Sequence, residues 1–372
     1  DLGIWRSGRR SVVSDVPPNW IYEIEEEKAE GQIPESKVQG PRSKVQGQAE
    51  EVKAAGAGRK DYGIRNTEYG VPLFEDVSQL LNHRHVEEPY EDFDRQPLLP
   101  LRLSQLGPGV CWHDLDGDGW EDVIIGSGKG GQLGVYRNNG QGGFSAIKAG
   151  PASRIVTRDQ TSVLGLGGSV VVGSSNYEDG LTNGGWIRIY DLPRQVVGDS
   201  SLGQESSVGP LAMGDVDGDG DLDLLVGGRS QAGRYPEPAT SLLMKNEGGR
   251  FGLWQRLEQV GMVSGAVFSD LDGDGKPELI LACDWGGILV YRNEGGVLKP
   301  WNWPVQLEST SNAPLSPLSQ LTGWWNGVTT GDLDGDGRLD IVATNWGKNS
   351  RYRTSGSHPR KIYYGDLDGN GT

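Results

Sequence analysis

The chain has 372 residues, 59 of them glycine, with 20 prolines, 12 tryptophans, 2 cysteines and a net charge of −16. Glycine at twice its usual abundance excludes a helical bundle, since each interior glycine costs a helix about 1 kcal/mol against alanine, and without a Gly-X-Y period collagen is excluded too. Two cysteines cannot staple a chain this size, no apolar run approaches the ~20 residues a bilayer needs, and 51 acidic against 35 basic residues leave no basic footprint for nucleic acid.

In chain order, residues 1–25 alternate apolar and polar residues in short stretches such as Ile21-Tyr22-Glu23-Ile24, which predicts short strands around turns. Residues 26–60 are charged and polar and contain a direct repeat, Ser36-Lys37-Val38-Gln39-Gly40 then Ser43-Lys44-Val45-Gln46-Gly47. Such a composition buries little and reads as a flexible linker. Residues 61–105 form a lead-in that could supply an outer strand. From 106 to 372 a repeat takes over.

Four segments align without gaps: Asp114-Leu-Asp116-Gly-Asp118-Gly119-Trp-Glu-Asp122, Asp215-Val-Asp217-Gly-Asp219-Gly220-Asp-Leu-Asp223, Asp270-Leu-Asp272-Gly-Asp274-Gly275-Lys-Pro-Glu278 and Asp332-Leu-Asp334-Gly-Asp336-Gly337-Arg-Leu-Asp340. Each precedes a short apolar strand. A second recurring piece follows in three copies: Val135-Tyr-Arg-Asn138, Leu243-Met-Lys-Asn246 and Val290-Tyr-Arg-Asn293. The first gap between loop starts is about twice the others. A silent copy fits there, with strands at Thr161–Leu166, Ser169–Gly173 and Trp186–Tyr190 and a Gly167-Gly168 turn in place of the acids. A unit of four short strands every ~50 residues predicts an all-β protein: a β-propeller of four-stranded blades, about five of them, stopping before closure. The loop Asp366, Asp368, Asn370 comes too soon after Asp332 for a further full blade and falls on the second hairpin of the same one.

Asp-x-Asp-x-Asp-Gly aims three carboxylates at one centre. The glycine permits the sharp turn, position 7 can add a carbonyl, and the acid at position 9 closes the site. Hard oxygen donors in this number suit Ca²⁺, giving four complete sites and a truncated fifth. Without Cys/His clusters zinc is not expected. Position 12, a glutamate in helical EF-hands, is Ile125, Val226, Leu281 or Ala343. Four bound Ca²⁺ would halve the negative charge.

These segments resemble VCBS/FG-GAP repeats, the calcium-loop propeller repeats also found in integrin α chains. The literal Phe-Gly…Gly-Ala-Pro sequence is absent, so the likeness to integrins is one of architecture. Trp5-Arg-Ser-Gly8 and Pro17-Pro-Asn-Trp-Ile-Tyr-Glu-Ile24 resemble the tail of an ASPIC/UnbV module. Together the two resemble the cartilage-acidic-protein-like secreted family. That resemblance implies an extracellular, cell-surface or periplasmic protein, calcium-stabilised and without enzymatic activity, acting in adhesion or binding. The competing readings are the propeller of a polysaccharide lyase or hydrolase and a structural spacer.

In such a blade the residues just past the strand after each acidic loop share the opposite face. Lys129, Asn176, Tyr177, Arg229, Asp284, Trp285, Asn345, Trp346, Lys348 and Arg351 are therefore the candidates for a protein or glycan partner. The bland alternative is that Trp285 and Trp346 pack between blades, as expected of Trp301, Trp303, Trp324 and Trp325. The four histidines have no metal or triad spacing, Cys111 and Cys283 read as free thiols, and Gly126–Gly131 lacks the lysine and helix of a phosphate loop.

Overall fold

The computed structural model describes residues 76–181, 185–302, 304–305, 316–347, 354 and 358–365. Outside them lie the readings made above for 1–25, 26–60 and 61–75, for Trp303, Lys348 and Arg351, and for the loop at Asp366, Asp368 and Asn370. The chain divides into two units. The larger, Val77–Gly331 with Arg338–Gly347 and Thr354–Thr372, holds every strand named below; the described loop Asp332–Gly337 belongs to the other and is treated by itself.

The larger unit is built of antiparallel sheets. The first is β1 (Val110–His113), β2 (Asp122–Ile125), β3 (Gly134–Asn138) and β4 (Phe144–Ala146) in sequential order. The second is β5 (Gln160–Leu166), β6 (Ser169–Ser174), β7 (Gly185–Asp191) and β8 (Val196–Gln204), the silent copy, with its Gly167-Gly168 turn where the others carry acids. The third begins with β9 (Ser206–Gly214), β10 (Asp223–Gln231) and β11 (Ala239–Asn246), and its fourth strand is the first half of β12 (Phe251–Ser269). Near Gln259 and Gly261, where φ is 47° and 133°, β12 changes partner. From Met262 onward it pairs with β13 (Glu278–Gly286) and opens the fourth sheet, completed by β14 (Ile288–Asn293) and β15 (Leu298–Pro300). Two residues pair with two in β16 (Pro304–Val305) and β17 (Ser316–Pro317). Last, β18 (Gly323–Gly331) and β19 (Asp340–Asn345) make a hairpin whose Trp324 also pairs with Asp284 of β13.

Alternation explains why each second strand is a continuous apolar run. Successive side chains point to opposite faces, and here both faces are covered. Val170 and Val172 pack back on Ile124 and Val135 of the first sheet. Val171 points forward to Leu224 and Val226 of the third. Leu225 in turn meets Leu279 and Leu281, while Ile280 and Ala282 meet Val328, Ile341 and Ala343 of the last hairpin. Each fully buried side chain of this kind contributes about 1.5–3 kcal/mol.

The opening strands of successive sheets run alongside one another: β1 by β5, β5 by β9, β9 by β12, and β12 by β18. Their backbones touch. Thr161 Oγ1 donates to Val208 O (2.7 Å), Ser162 Oγ accepts Leu211 N–H (3.1 Å) and Ser264 Oγ donates to Trp325 O (2.5 Å). Glycine is required at these crossings. A Cβ on Gly109 would lie 2.6 Å from Ser162 Cα, and one on Gly265 2.7 Å from Gly327 Cα. Gly265→Ala is therefore expected to cost about 2–3 kcal/mol in urea unfolding, as overpacking against rigid backbone does. Gly198→Ala, which meets no atom within 4 Å, serves as the neutral control.

Residues 76–105 contain no strand, so the outer strand entertained for this stretch does not form in its described part. Instead a single helical turn, α1 (Asp92–Arg95), starts a closed loop. The buried Asp92 carboxylate accepts Leu103 N–H (2.6 Å), Ser104 N–H (2.9 Å) and Ser104 Oγ–H (2.6 Å). The loop lies at the end of the sheets opposite the acidic loops at Asp114, Asp215 and Asp270. There Leu99 and Leu103 pack on Tyr177, Tyr235 and Met262. Gln96 bonds the Tyr235 backbone twice, and Arg95 donates to Tyr177 O and Glu178 O.

Candidate metal centres

The acidic loops connect the first two strands of their sheets, β1–β2, β9–β10, β12–β13 and β18–β19. All four share one internal wiring. Asp114 Oδ1 accepts the N–H of Gly117 (2.8 Å) and of Asp118 (3.2 Å), and its Oδ2 accepts that of Gly119 (2.8 Å). Asp215, Asp270 and Asp332 repeat this within 0.2 Å. The turn that exposes these N–H groups needs left-handed backbone, and Gly117 and Gly119 supply it at φ 75° and 87°. The N–H groups of Gly119, Gly117 and Asp118 hold the Asp114 carboxyl below its usual range. At position 5, Asp118, Asp219 and Asp274 each accept the N–H two residues on, at 2.8–3.0 Å.

Position 9 behaves differently, because it begins the second strand. Asp122, Asp223 and Glu278 are buried. Asp122 Oδ2 accepts Leu115 N–H (3.2 Å) and its Oδ1 accepts Asn138 N–H (2.8 Å), tying the loop to β3. Asp223 does the same with Val216 (3.0 Å) and Asn246 (2.9 Å). Glu278, one methylene longer, accepts Leu271 N–H (2.9 Å), but its Oε1 is buried without a hydrogen bond of normal geometry. Burial raises all three carboxyls.

Carboxylate oxygens gather within 4.8 Å of one another in each loop: Asp114, Asp116 and Asp118; Asp215, Asp217 and Asp223; Asp270, Asp272 and Glu278; Asp332, Asp334 and Asp336. Asp340 opens β19. The donors fit a hard cation. They are all oxygens, three to a loop, and the buried Glu278 oxygen needs a partner. Calcium there would be held by these acids and would join loop to strand.

The recurring Tyr-Arg-Asn or Met-Lys-Asn piece also serves these loops, a role that sequence reading did not assign. Arg137, Lys245 and Arg292 pair with the position 3 acids Asp116, Asp217 and Asp272. The asparagines staple the neighbouring turns: Asn138 Nδ2 donates to Glu121 O (3.0 Å), Asn246 Nδ2 to Leu222 O (3.0 Å) and Asn293 Nδ2 to Val216 O (2.7 Å).

At the opposite end, the partner-face candidates separate into two groups. Asn176, Tyr177 and Asp284 are buried, Tyr177 beneath residues 90–103. Arg229 pairs with Asp284 at 3.0 Å. Trp285 donates Nε1–H to Tyr235 OH (2.6 Å) and stands edge-on to Trp324, which stands edge-on to Trp346. Exposed are Asn345 and Trp346, the last 49% accessible, while Lys129 is half-buried and pairs with Glu88. The bland reading of the other tryptophans is visible in Trp325, whose Nε1–H reaches Leu321 O (2.8 Å), and in Trp301, which lies under Arg292. His113 bonds Gly167 O across the first two sheets (3.0 Å). Cys111 and Cys283 are free, with burial pushing their thiols up to about 11 and about 12. Among the described residues no helix is long and apolar enough to cross a membrane.

The comparison with curated proteins returns no match. Among solved structures, one described for specific recognition of non-reducing terminal N-acetylglucosamine by an Agrocybe aegerita lectin is 18% identical, with a TM-score of 0.34. The match covers 63% of this chain and only 59% of that one. Residues 114–165 and 270–343 match the family model of the FG-GAP-like repeat. The chain thus carries FG-GAP-like repeats, and the matched stretches include the acidic loops that start at Asp114, Asp270 and Asp332.

Proposed function

We propose that this chain is a calcium-stabilised β-propeller module of an extracellular or cell-surface protein, non-enzymatic, that presents a binding surface for a protein or glycan partner. The observation that carries the reading is the repetition of one loop geometry, with three carboxylates within 4.8 Å, at the same turn of one strand pair after another. In the first three loops a single Lys or Arg faces three gathered carboxylates, an excess of negative charge that a divalent cation would offset. FG-GAP-like repeats support the extracellular placement.

The partner surface is narrower than the sequence suggested. With Tyr177 and Asp284 buried and Lys129 paired with Glu88, it centres on Trp346 and Asn345, and a half-exposed tryptophan backed by a second one is a good anchor for either an apolar side chain or a sugar ring. Glycan and protein arrays probed in millimolar calcium are expected to give hits that Trp346→Ala weakens at least tenfold and EDTA abolishes. Turnover of acidic polysaccharides in the same buffer would instead favour the lyase or hydrolase reading, and blank arrays would favour the spacer.

A further inference from the structure

We infer that Glu87, Asp159 and Glu178 form a divalent-cation site of a second kind, assembled from three chain segments rather than one loop and suited to Ca²⁺. Glu87 lies in the segment before β1, Asp159 just before β5, and Glu178 in the connection from β6 to β7. Their carboxylate oxygens lie within 4.8 Å of one another. None belongs to an Asp-x-Asp-x-Asp-Gly loop, and the silent second sheet is where the repeat itself supplies no acids.

Proximity of acids alone is common on an acidic protein; two buried oxygens without partners are not. Asp159 is only 5% exposed. Its Oδ1 accepts Lys129 N–H (2.8 Å), and its Oδ2 is buried with no hydrogen-bond partner. Glu178 Oε1 is in the same state. Ionised carboxylates only accept hydrogen bonds, so neighbouring acids cannot satisfy one another. Leaving such an oxygen buried and unmet is costly, and something must bridge them.

The nearby cations do not. Lys129 Nζ sits 2.9 Å from Glu88 and 3.7 Å from Glu178. Arg158 pairs with Asp179, and Arg95 donates to the backbone carbonyls of Tyr177 and Glu178. His85 Nε2 is 3.3 Å from Glu87 Oε2. Against Glu87, Glu88, Asp159 and Glu178 the ammonium of Lys129 is one positive charge. The chain also keeps the space free. A Cβ on Gly128 would lie 2.2 Å from Glu87 Oε2 and 2.7 Å from Val86 O. Gly130 does the same for Glu88, whose Oε1 would lie 3.0 Å from its Cβ, so two glycines of the run at 126–131 make room for carboxylates.

The rival bridge is a proton shared between carboxyls, and burial does raise all three, Glu178 to about 7. Counting bound calcium by equilibrium dialysis at neutral pH separates the two. Glu178→Gln and Asp159→Asn, whose Oδ1 can still accept the Lys129 N–H, are each expected to bind one ion fewer per chain than the unaltered protein. Their melting temperatures in EDTA should be unchanged or higher, since repulsion is relieved. Gly128→Ala is expected to weaken the same single ion at least tenfold by displacing Glu87. An unaltered ion count in all three variants would overturn the site and leave the shared proton. The loops are tested apart: a chain carrying Asp116→Asn, Asp217→Asn, Asp272→Asn and Asp334→Asn should still bind this one ion, whether or not the loops bind theirs.

Discussion

Removing calcium with EDTA is expected to lower the melting temperature by on the order of 15 °C relative to about 5 mM calcium. A ligand at fifty times its Kd stabilises the folded state by about 2 kcal/mol per site, so four independent loops give about 8–9 kcal/mol, and a chain of this size gains roughly 2 °C per kcal/mol. Extracellular calcium modules commonly bind at 10⁻⁴–10⁻³ M, and at the tight end of that range about 5 mM calcium is that fiftyfold excess. Single substitutions sort the roles within a loop. Asp116 pairs with Arg137 at the loop surface, so Asp116→Asn should leave the EDTA curve unchanged and reduce the calcium-induced gain by one site's share. Asp122 is buried and accepts two backbone N–H groups, so Asp122→Ala should cost about 3 kcal/mol even in EDTA, each hydrogen bond to a charged acceptor being worth about 1.5–3 kcal/mol. Scanning calorimetry on these two variants, with and without calcium, checks both statements. Identical curves for the unaltered protein in EDTA and in calcium would remove calcium from its stability.

The contrast between Asp116 and Asp122 shows what a sequence can and cannot carry. The 1-3-5-9 acids and the glycines at positions 4 and 6 are local, so the loops are legible from one stretch of chain. So are the strands, because an apolar run such as Leu224-Leu225-Val226 between turn residues has few other fates. The silent sheet was legible from its Gly167-Gly168 turn and from period alone. What stayed hidden depends on residues far apart. Asp122 holds Asn138 only once β2 and β3 pair. Gly265 is needed only because β18 passes 61 residues later in sequence, as the Ser264–Trp325 hydrogen bond records. The segment 76–105 has neither helical nor strand period, since its order comes from Asp92 and from docking on Tyr177 and Tyr235. For the same reason Tyr177 looked like a surface aromatic and is a buried one.

Arg229 and Asp284 carry the largest single-residue expectation. Both were read as surface groups for a partner, yet the Asp284 side chain is 5% and the Arg229 side chain 12% exposed, their charged groups 3.0 Å apart. Arg229 Nη1 also donates to Met262 O (3.4 Å). A buried pair adds little over an apolar one of equal volume, but breaking it strands a charge, at a cost of about 3–5 kcal/mol. Arg229→Met should therefore destabilise the chain by that amount at neutral pH in urea unfolding. The deficit should depend on pH in a defined direction. Burial raises the Asp284 carboxyl and Arg229 opposes the rise. Without the arginine the folded-state pKa climbs further above that of the unfolded chain. A group so raised takes up its proton in the folded state first, so the folded state gains as pH falls through the raised pKa and loses as pH rises through it. The Arg229→Met deficit should accordingly shrink on acidification, and Arg229→Met with Asp284→Asn should recover at least half of it at neutral pH. A deficit independent of pH, with no recovery in the double variant, would mean that Arg229 acts through its aliphatic packing and its bond to Met262 rather than as the counter-ion of a buried acid.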